Sequence, residues 1–203
     1  MGLKYRIRQH LKENSAQYML ILGIFIIGFV LGFLNVRGLD DEVKQYLVVM
    51  LDNYLRGGLE GDLFGKSILI TAFIKQAETI CSIWLLGLTV IGLPLILAVI
   101  FLRGFSLGFT VGFLFQQKAG AGVLLSMVSI LPQNLVYVPS LIVAGVVAMN
   151  FSVFIVKSRN AGGNSLGVAL LAYSIVMLLL LIAFVLGAFI EAYLSPWLLG
   201  LCM

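Results

Sequence analysis

The chain has 203 residues, of which 61% are hydrophobic and 11% are charged, and its mean hydropathy is +1.10. Soluble domains contain about 25% charged residues, so this composition excludes a soluble globular protein and indicates one integral membrane domain over residues 1–203. The formal net charge of +4 indicates no nucleic-acid partner, because the basic residues flank apolar runs, where membrane orientation and lipid headgroups account for them.

Residues 1–15 predict a short amphipathic helix on the membrane surface. Apolar residues recur there at helical spacing, and four basic residues stand against Glu13. Basic residues before a first crossing favour the cytoplasmic side, so the N-terminus is expected inside. Residues 16–36 then form an apolar run that is long enough to cross the bilayer outward, and no small-x-small cleavage pattern follows it.

The longest polar stretch, residues 37–66, carries six acidic and four basic residues, which suits the outer side of the membrane. Its apolar residues follow the i, i+3, i+4, i+7 pattern of an amphipathic helix, expected to begin at Asp40 or Asp41 and to end at Gly57-Gly58. The apolar stripe of this helix consists of Val43, Tyr46, Leu47, Met50, Leu51, Tyr54 and Leu55. The stripe is expected to lie on lipid headgroups, across the tops of the spans or on a partner protein. Its central residues, Tyr46, Met50 and Tyr54, are the candidate partner surface.

The next region mixes apolar stretches with Lys75 and Glu78. A charge at mid-bilayer costs roughly 2.5 to 3.5 kcal/mol, so we expect residues 63–77 to form an interfacial helix. Residues 79–101 then form the second crossing, which ends at Arg103 on the inner side. The alternative is that Lys75 and Glu78 form an intramembrane ion or proton pair, because such residues are functional candidates by default.

Residues 85–115 are an apolar run with a single arginine as the only ionisable group. Gly104, Gly108 and Gly112 recur every four residues, which places them on one helical face and lets another backbone approach closely. Phenylalanines recur at the same interval one position on, beginning with Phe105. The pattern predicts a close helix contact, either within the chain or between two copies, which leaves a homodimer open.

Prolines predict irregular backbone in the central part of the chain. Pro94 is expected to kink the second crossing, because proline removes a backbone donor. Two further crossings follow, and the connection between them has two possible positions. If it lies at residues 116–122, the first of these crossings is short and re-entrant. If it lies at Pro132-Gln133-Asn134, the first crossing is long and broken. Pro132 and Pro139 predict irregular structure on either path, which a membrane tolerates where protein or water covers it.

Residues 166–190 predict the fifth crossing, after a polar turn at residues 157–165. Lys157 and Arg159 indicate that this turn is cytoplasmic, so the C-terminus is expected outside. The predicted fold is therefore an all-α polytopic membrane protein. It has about five transmembrane helices, interfacial amphipathic helices and a broken or re-entrant central segment.

The chain offers few groups for catalysis. It has one histidine, His10, and no metal-binding, nucleophile or phosphate-loop motif, which predicts a protein that is not an enzyme and uses no cofactor or metal. Cys81 and Cys202 lack metal or redox spacing and are expected to be free thiols. The amides of Gln133 and Asn134 could contact a partner, but satisfying backbone groups freed by proline is the favoured role.

Two stretches resemble stage II sporulation protein M of endospore-forming bacteria: GLPLILAVIFLRGFSLGFTVGFL at residues 92–114 and SMVSILPQNLVYVPSLIVAG at residues 126–145. The resemblance covers nearly the whole chain. It is sharpest at Gly104, Phe105, Gly108 and Gly112, and at Pro132, Gln133, Asn134 and Pro139. More distant members of the superfamily carry a histidine-glycine pair and a glutamate at two positions of the second stretch. This chain has Gln133-Asn134 and Tyr137-Val138 there, so no activity of those relatives carries over.

The resemblance implies a non-enzymatic membrane scaffold for engulfment. In that family the protein holds the peptidoglycan-degrading stage II sporulation proteins D and P in a complex at the septum. The mother-cell membrane then migrates around the forespore. The resemblance therefore implies a multi-pass protein of the cell membrane, at the sporulation septum on the mother-cell side, with D and P and the lipid bilayer as its partners.

A transporter or permease-like subunit is the alternative. It needs a polar path through the bilayer, and helix breaks near the midplane are how transporters build binding sites. The candidate polar residues are Lys75, Glu78, Gln116, Gln117, Lys118, Gln133 and Asn134. An intramembrane enzyme is a third hypothesis, against which the scarcity of intramembrane carboxylates and histidines counts.

Overall fold

The computed structural model describes residues 9, 12–57, 62–89, 91–117, 121–158 and 166–194, and over these ranges the chain is helical, with no strand. The six helices are α1 (Ser15–Asn35), α2 (Asp41–Gly57), α3 (Asp62–Gly87), α4 (Gly92–Gln117), α5 (Ala121–Ser158) and α6 (Leu166–Phe189). A 3₁₀ turn, Val36–Gly38, extends α1, and a π-helical turn, Ile190–Leu194, extends α6. The all-α fold class is confirmed.

Five segments are long and apolar enough to cross a membrane, which confirms the predicted number of crossings. They are Ser15–Gly38, Leu69–Gly87, Gly92–Gln116, Pro132–Lys157 and Leu166–Tyr193. Successive spans run in opposite directions, so their ends form two groups. We call the end near Ser15 the proximal end and the end near Tyr193 the distal end.

The second crossing lies earlier in the chain than predicted. The expected crossing at residues 79–101 is wrong, because α3 ends at Gly87 and α4 begins at Gly92. The interfacial assignment of residues 63–77 is wrong from Leu69 onward, where the span begins. Lys75 and Glu78 do lie within this span, and both side chains are exposed on its surface, where long side chains can reach towards the headgroups.

The turn between α3 and α4 explains Pro94. Thr89 Oγ1 donates to the carbonyl of Leu86 over 2.9 Å, and the amide of Gly92 donates to the carbonyl of Thr89 over 3.2 Å. Pro94 follows in the first turn of α4, where the amides of a helix have no intrahelical partner, so the missing donor costs nothing there. The predicted kink is wrong, because Pro94 lies at the start of a helix rather than inside one.

Of the two paths for residues 104–140, the helix bounds agree with the earlier connection. Helix α4 ends at Gln117 and α5 begins at Ala121, so the first of the two crossings is part of a full-length span rather than a short re-entrant one. The turn at Pro132-Gln133-Asn134 is wrong, because Pro132 and Pro139 both lie inside the 38-residue helix α5. The side-chain amide nitrogen of Asn134 donates to the carbonyl of Ile130 over 2.8 Å, within the same helix.

Helix α2 lies between two crossings and stands apart from the bundle. Its observed bounds match the predicted start at Asp40 or Asp41 and the predicted end at Gly57. Over its described residues it makes no extensive contact with another helix, so it does not lie across the tops of the spans. The five spans enclose the core instead. Its most deeply buried side chains include Ile21, Ile83, Ile96, Ile100, Val146 and Phe184.

Several predictions fall on residues outside the described ranges or on side chains that are not described. The N-terminal helix over residues 1–15 is described only at residue 9 and from residue 12. His10, Lys118, Arg159 and Cys202 lie outside the described ranges, and in α2 nothing is described of the side chains beyond Met50. Cys81 is described and is a free, exposed cysteine.

Candidate functional site

Helices α1 and α4 meet along a close contact that we call the glycine seam. Its members are Gly28, Gly32, Gly104, Gly108 and Gly112. A methyl group added at Gly112 would lie 2.8 Å from the carbonyl oxygen of Phe33, and one added at Gly32 would lie 2.9 Å from the amide nitrogen of Phe109. Because these neighbours are backbone atoms, they cannot rotate away. The contact is within one chain, and the two helices run parallel through it.

The phenylalanines beside the seam form a ladder along α4. The ring of Phe105 stacks on those of Phe101 and Phe109, each at a centroid distance of 6.4 Å, and Phe109 continues to Phe113 at 6.5 Å. The four-residue interval brings each ring over the previous one, because residues at i and i+4 share a helical face. The ladder and the seam therefore make this side of α4 apolar.

A polar cavity lies on other faces of α4, among α3, α4, α5 and α6. Its volume is about 210 Å³, well above the roughly 10–15 Å³ that a single water needs. The polar residues that line it are Gln76, Arg103, Ser106, Thr110, Gln133, Asn134, Tyr137 and Glu191. Apolar residues, among them Phe25, Leu107 and Phe184, complete the wall. The cavity therefore brings charged and neutral polar groups together inside the bundle.

Arg103 lies in the wall of this cavity. It stands 13 residues before the distal end of its span at Gln116, which is about 20 Å of helix. Its Nη2 atom donates to the carbonyl oxygen of Lys75 over 3.1 Å and to the hydroxyl of Thr79. These bonds tie α4 to α3 and offset part of the cost of a charge at this depth. The predicted position of Arg103 at an inner helix end is wrong.

Tyr137 and Glu191 lie nearer the distal end. The Tyr137 hydroxyl donates to Glu191 Oε2 over 3.1 Å and also bonds to the side chain of Gln76. The Tyr137 ring stacks on Phe184 with a centroid distance of 5.5 Å, and the absence of a side chain at Gly187 leaves room for this ring. Three helices are therefore joined by one buried phenol.

Only some of the predicted site residues come together in the cavity. Gln133 and Asn134 line it, whereas Pro139 is exposed on α5 and the seam residues lie on another face of α4. Lys75 and Glu78 form no ion pair within 4.0 Å of each other in the described structure, so the proposed pair is not formed. No group of three His, Cys, Asp or Glu residues among those described could hold a metal.

Sequence analysis missed Arg103, Tyr137 and Glu191 as parts of one site. A signal existed for Arg103, because it was the only ionisable residue in residues 85–115 and could have been placed at membrane depth. Tyr137 and Glu191 are 54 residues apart, and no local pattern connects them. Their contact depends on how α5 and α6 pack.

The stripe of α2 is the second candidate surface. Tyr46 is 66% exposed and Met50 is 58% exposed, although both are apolar over most of their surface. Exposed apolar side chains on one helical face indicate a contact with lipid or with another protein. The nearby ion pair between Lys44 and Asp41, at 3.3 Å, is solvent-exposed.

Comparison with known proteins gives a family assignment. No match was found among curated proteins or among solved structures. One family model, described as stage II sporulation protein M, matches residues 21–196, which include all five membrane spans except the first residues of α1. Because the match covers most of the chain, this multi-pass membrane protein belongs to the stage II sporulation protein M family.

Proposed function

We propose that this protein is a non-enzymatic scaffold that holds peptidoglycan-degrading proteins at the sporulation septum during engulfment. Family membership supports a role in sporulation, and α2 is the observation that carries the scaffold role. This helix presents Tyr46 and Met50 to its surroundings and makes no extensive contact with the bundle over its described residues. A helix that the protein's own fold does not use is available to a partner.

The proposed partners are stage II sporulation proteins D and P, which act on peptidoglycan and therefore require a scaffold surface outside the cytoplasm. The basic residues Lys12 and Lys157 both lie at the proximal end of the bundle. By the positive-inside rule this end is cytoplasmic, so α2 and the distal end face outward. Reporter fusions test this orientation: a fusion after residue 57 should report outside, and a cytoplasmic signal there would exclude the proposed docking surface.

The docking test replaces Tyr46, Met50 and Tyr54 together by serine. No membrane span is touched, so the variant should accumulate normally in the membrane. Fluorescent proteins D and P should then lose their enrichment at the septum. The matched control carries serine at Gln45 and Asp52, on the side of the helix that faces away from these three residues, and should recruit both partners.

The two failure modes of this experiment are distinguishable. If the triple variant accumulates and recruits both partners like the parent, α2 is not the docking surface. If the variant is degraded, α2 braces its own protein, and this role would also contradict the proposal. Quantifying the variant by immunoblot in the same cells separates these outcomes from loss of recruitment.

A permease-like subunit is a second candidate function, because the polar cavity reaches about halfway through the bundle. Such a cavity supplies one half of a transport path. Purified protein in liposomes should then conduct a solute or an ion. Flux equal to that of empty liposomes for amino acids, phosphate and common cations would remove this candidate.

A further inference from the structure

Arg103 is only partly neutralised, because Glu78 and Glu191 act on its charge from beyond ion-pair distance. Among the described residues, no carboxylate oxygen lies within 4.0 Å of the Arg103 guanidinium. The bonds to Lys75 and Thr79 use Nη2, whereas a guanidinium has five N–H donors. A guanidinium that faces a cavity in the middle of a bundle, with donors to spare, suits a guest with a carboxylate or phosphate group.

A carboxylate lies on another wall of the same cavity. Glu191 lies in the π-helical turn that extends α6, and it is close enough to Arg103 for the two charges to interact. The Tyr137 hydroxyl engages Glu191 Oε2 and holds this carboxylate in place. The cavity therefore carries one cation and one anion, with neutral amides and hydroxyls in the same lining.

We propose that the cavity binds a small zwitterion, with the guest's oxyanion on Arg103 and its ammonium group on Glu191. Charge balance argues for this class of ligand. With both residues ionised the lining is neutral, and a zwitterion keeps it neutral, whereas a simple anion or cation would leave one net charge in a low-dielectric site. The amides of Gln133 and Asn134 and the hydroxyls of Ser106 and Thr110 can bond the rest of the guest.

Two sources can supply this chemistry. One is a soluble amino-acid-type solute that enters from the distal side, and the other is the ethanolamine headgroup of a membrane lipid. Both carry an oxyanion and a primary ammonium. The inference concerns binding alone: it does not depend on the scaffold role, and it uses the same cavity as the permease candidate without requiring flux.

The test uses the full chain with Cys81→Ala, Cys202→Ala and Ser106→Cys, so that the only thiol lies in the cavity wall. Labelling of residue 106 by a maleimide reports whether the cavity is occupied. In detergent, glycine or glycerophosphoethanolamine should slow labelling in a saturable way, whereas acetate and ethylammonium at equal concentration should not. For the lipid source, labelling should instead be slow in phosphatidylethanolamine bilayers and fast in phosphatidylglycerol bilayers.

Three further variants connect the effect to the charges. Glu191→Gln preserves shape but removes the negative charge, and it should weaken protection about tenfold or more, because a charge-assisted bond is lost. Arg103→Lys keeps the positive charge and should retain partial protection, whereas Arg103→Met should have none. Thermal unfolding of each variant in detergent verifies that it is folded.

The outcomes decide the proposal. Protection by the soluble zwitterions identifies a soluble guest, and slow labelling confined to phosphatidylethanolamine identifies a lipid guest. Equal protection by acetate alone would show a simple anion site and overturn the proposal. The proposal would also be overturned if neither the soluble probes nor the lipids changed the labelling rate. Full protection in a folded Glu191→Gln variant would overturn it as well.

Discussion

Helix α4 contributes to two regions of the molecule, one closely packed and apolar, the other open and polar. Towards α1 it presents the glycine seam, where backbone meets backbone and a single added methyl group has no space. Towards α3, α5 and α6 it presents Arg103, Ser106 and Thr110 to a cavity of about 210 Å³. One helix can do both because residues one or two positions apart point in different directions. The seam fixes the position of the helix, and the cavity side is left open to small molecules.

The largest expected effect comes from Gly108→Leu, which tests whether the seam is as tight as described. The new side chain would meet the backbone of Phe29, and α1 and α4 would have to separate. We expect a loss of at least about 3 kcal/mol in stability, together with low accumulation in the membrane. Thermal unfolding in detergent and immunoblotting measure the two effects.

The matched control is Gly23→Leu on α1, where nothing lies within 4 Å of an added side-chain carbon. It should behave like the parent in both measurements. If Gly108→Leu is as stable as Gly23→Leu, then the seam is not a close contact and the distinction between the two faces of α4 is lost.

A smaller effect is expected on the cavity side from Tyr137→Phe, which removes the hydroxyl bonded to Glu191. The ring keeps its stacking on Phe184, so only the hydroxyl's hydrogen bonds to Glu191 and Gln76 are lost. We expect a loss of about 1 to 2 kcal/mol, measured by thermal unfolding in detergent. Tyr46→Phe on the exposed face of α2 is the control and should change nothing. An unchanged stability for Tyr137→Phe would show that its hydroxyl does not join α5 to α6.

Sequence reasoning was successful where a pattern repeats locally. The apolar runs predicted five crossings, and the spacing of apolar residues predicted α2 to within a residue at each end. The four-residue glycine interval indicated a close helix contact, and the structure has these glycines against α1. The identity of the partner helix depends on tertiary packing, for which the chain carries no local signal.

Charges and prolines account for the differences between prediction and structure. The cost of a charge in the bilayer predicts Arg103 at an inner helix end, but Thr79 and the Lys75 carbonyl bind it within the bundle. Pro132 predicts an interrupted helix, yet it lies inside α5. For Arg103, bonds from a neighbouring helix offset the local cost.

The smallest expected effect compares two changes of one atom on α4. Ser106→Ala removes a hydroxyl from the cavity wall, where space is already present, and should alter stability by less than about 0.5 kcal/mol. Gly104→Ala adds a methyl group on the seam, against the backbone of Phe25, and should be destabilising by about 1 kcal/mol or more. Chemical denaturation of both variants in the same detergent measures the difference. Equal values would mean that the two faces are equally tolerant.

The depth of Arg103 also determines how the cavity responds to an energised membrane. A charge that crosses the full bilayer gains or loses about 2.3 kcal/mol per 100 mV, and a group that reaches Arg103 crosses part of that voltage drop. An anionic guest would therefore be held more or less tightly as the cell polarises. A zwitterion moves no net charge, so its occupancy would be nearly independent of the membrane potential. The cavity would then remain occupied in a cell whose membrane potential has collapsed.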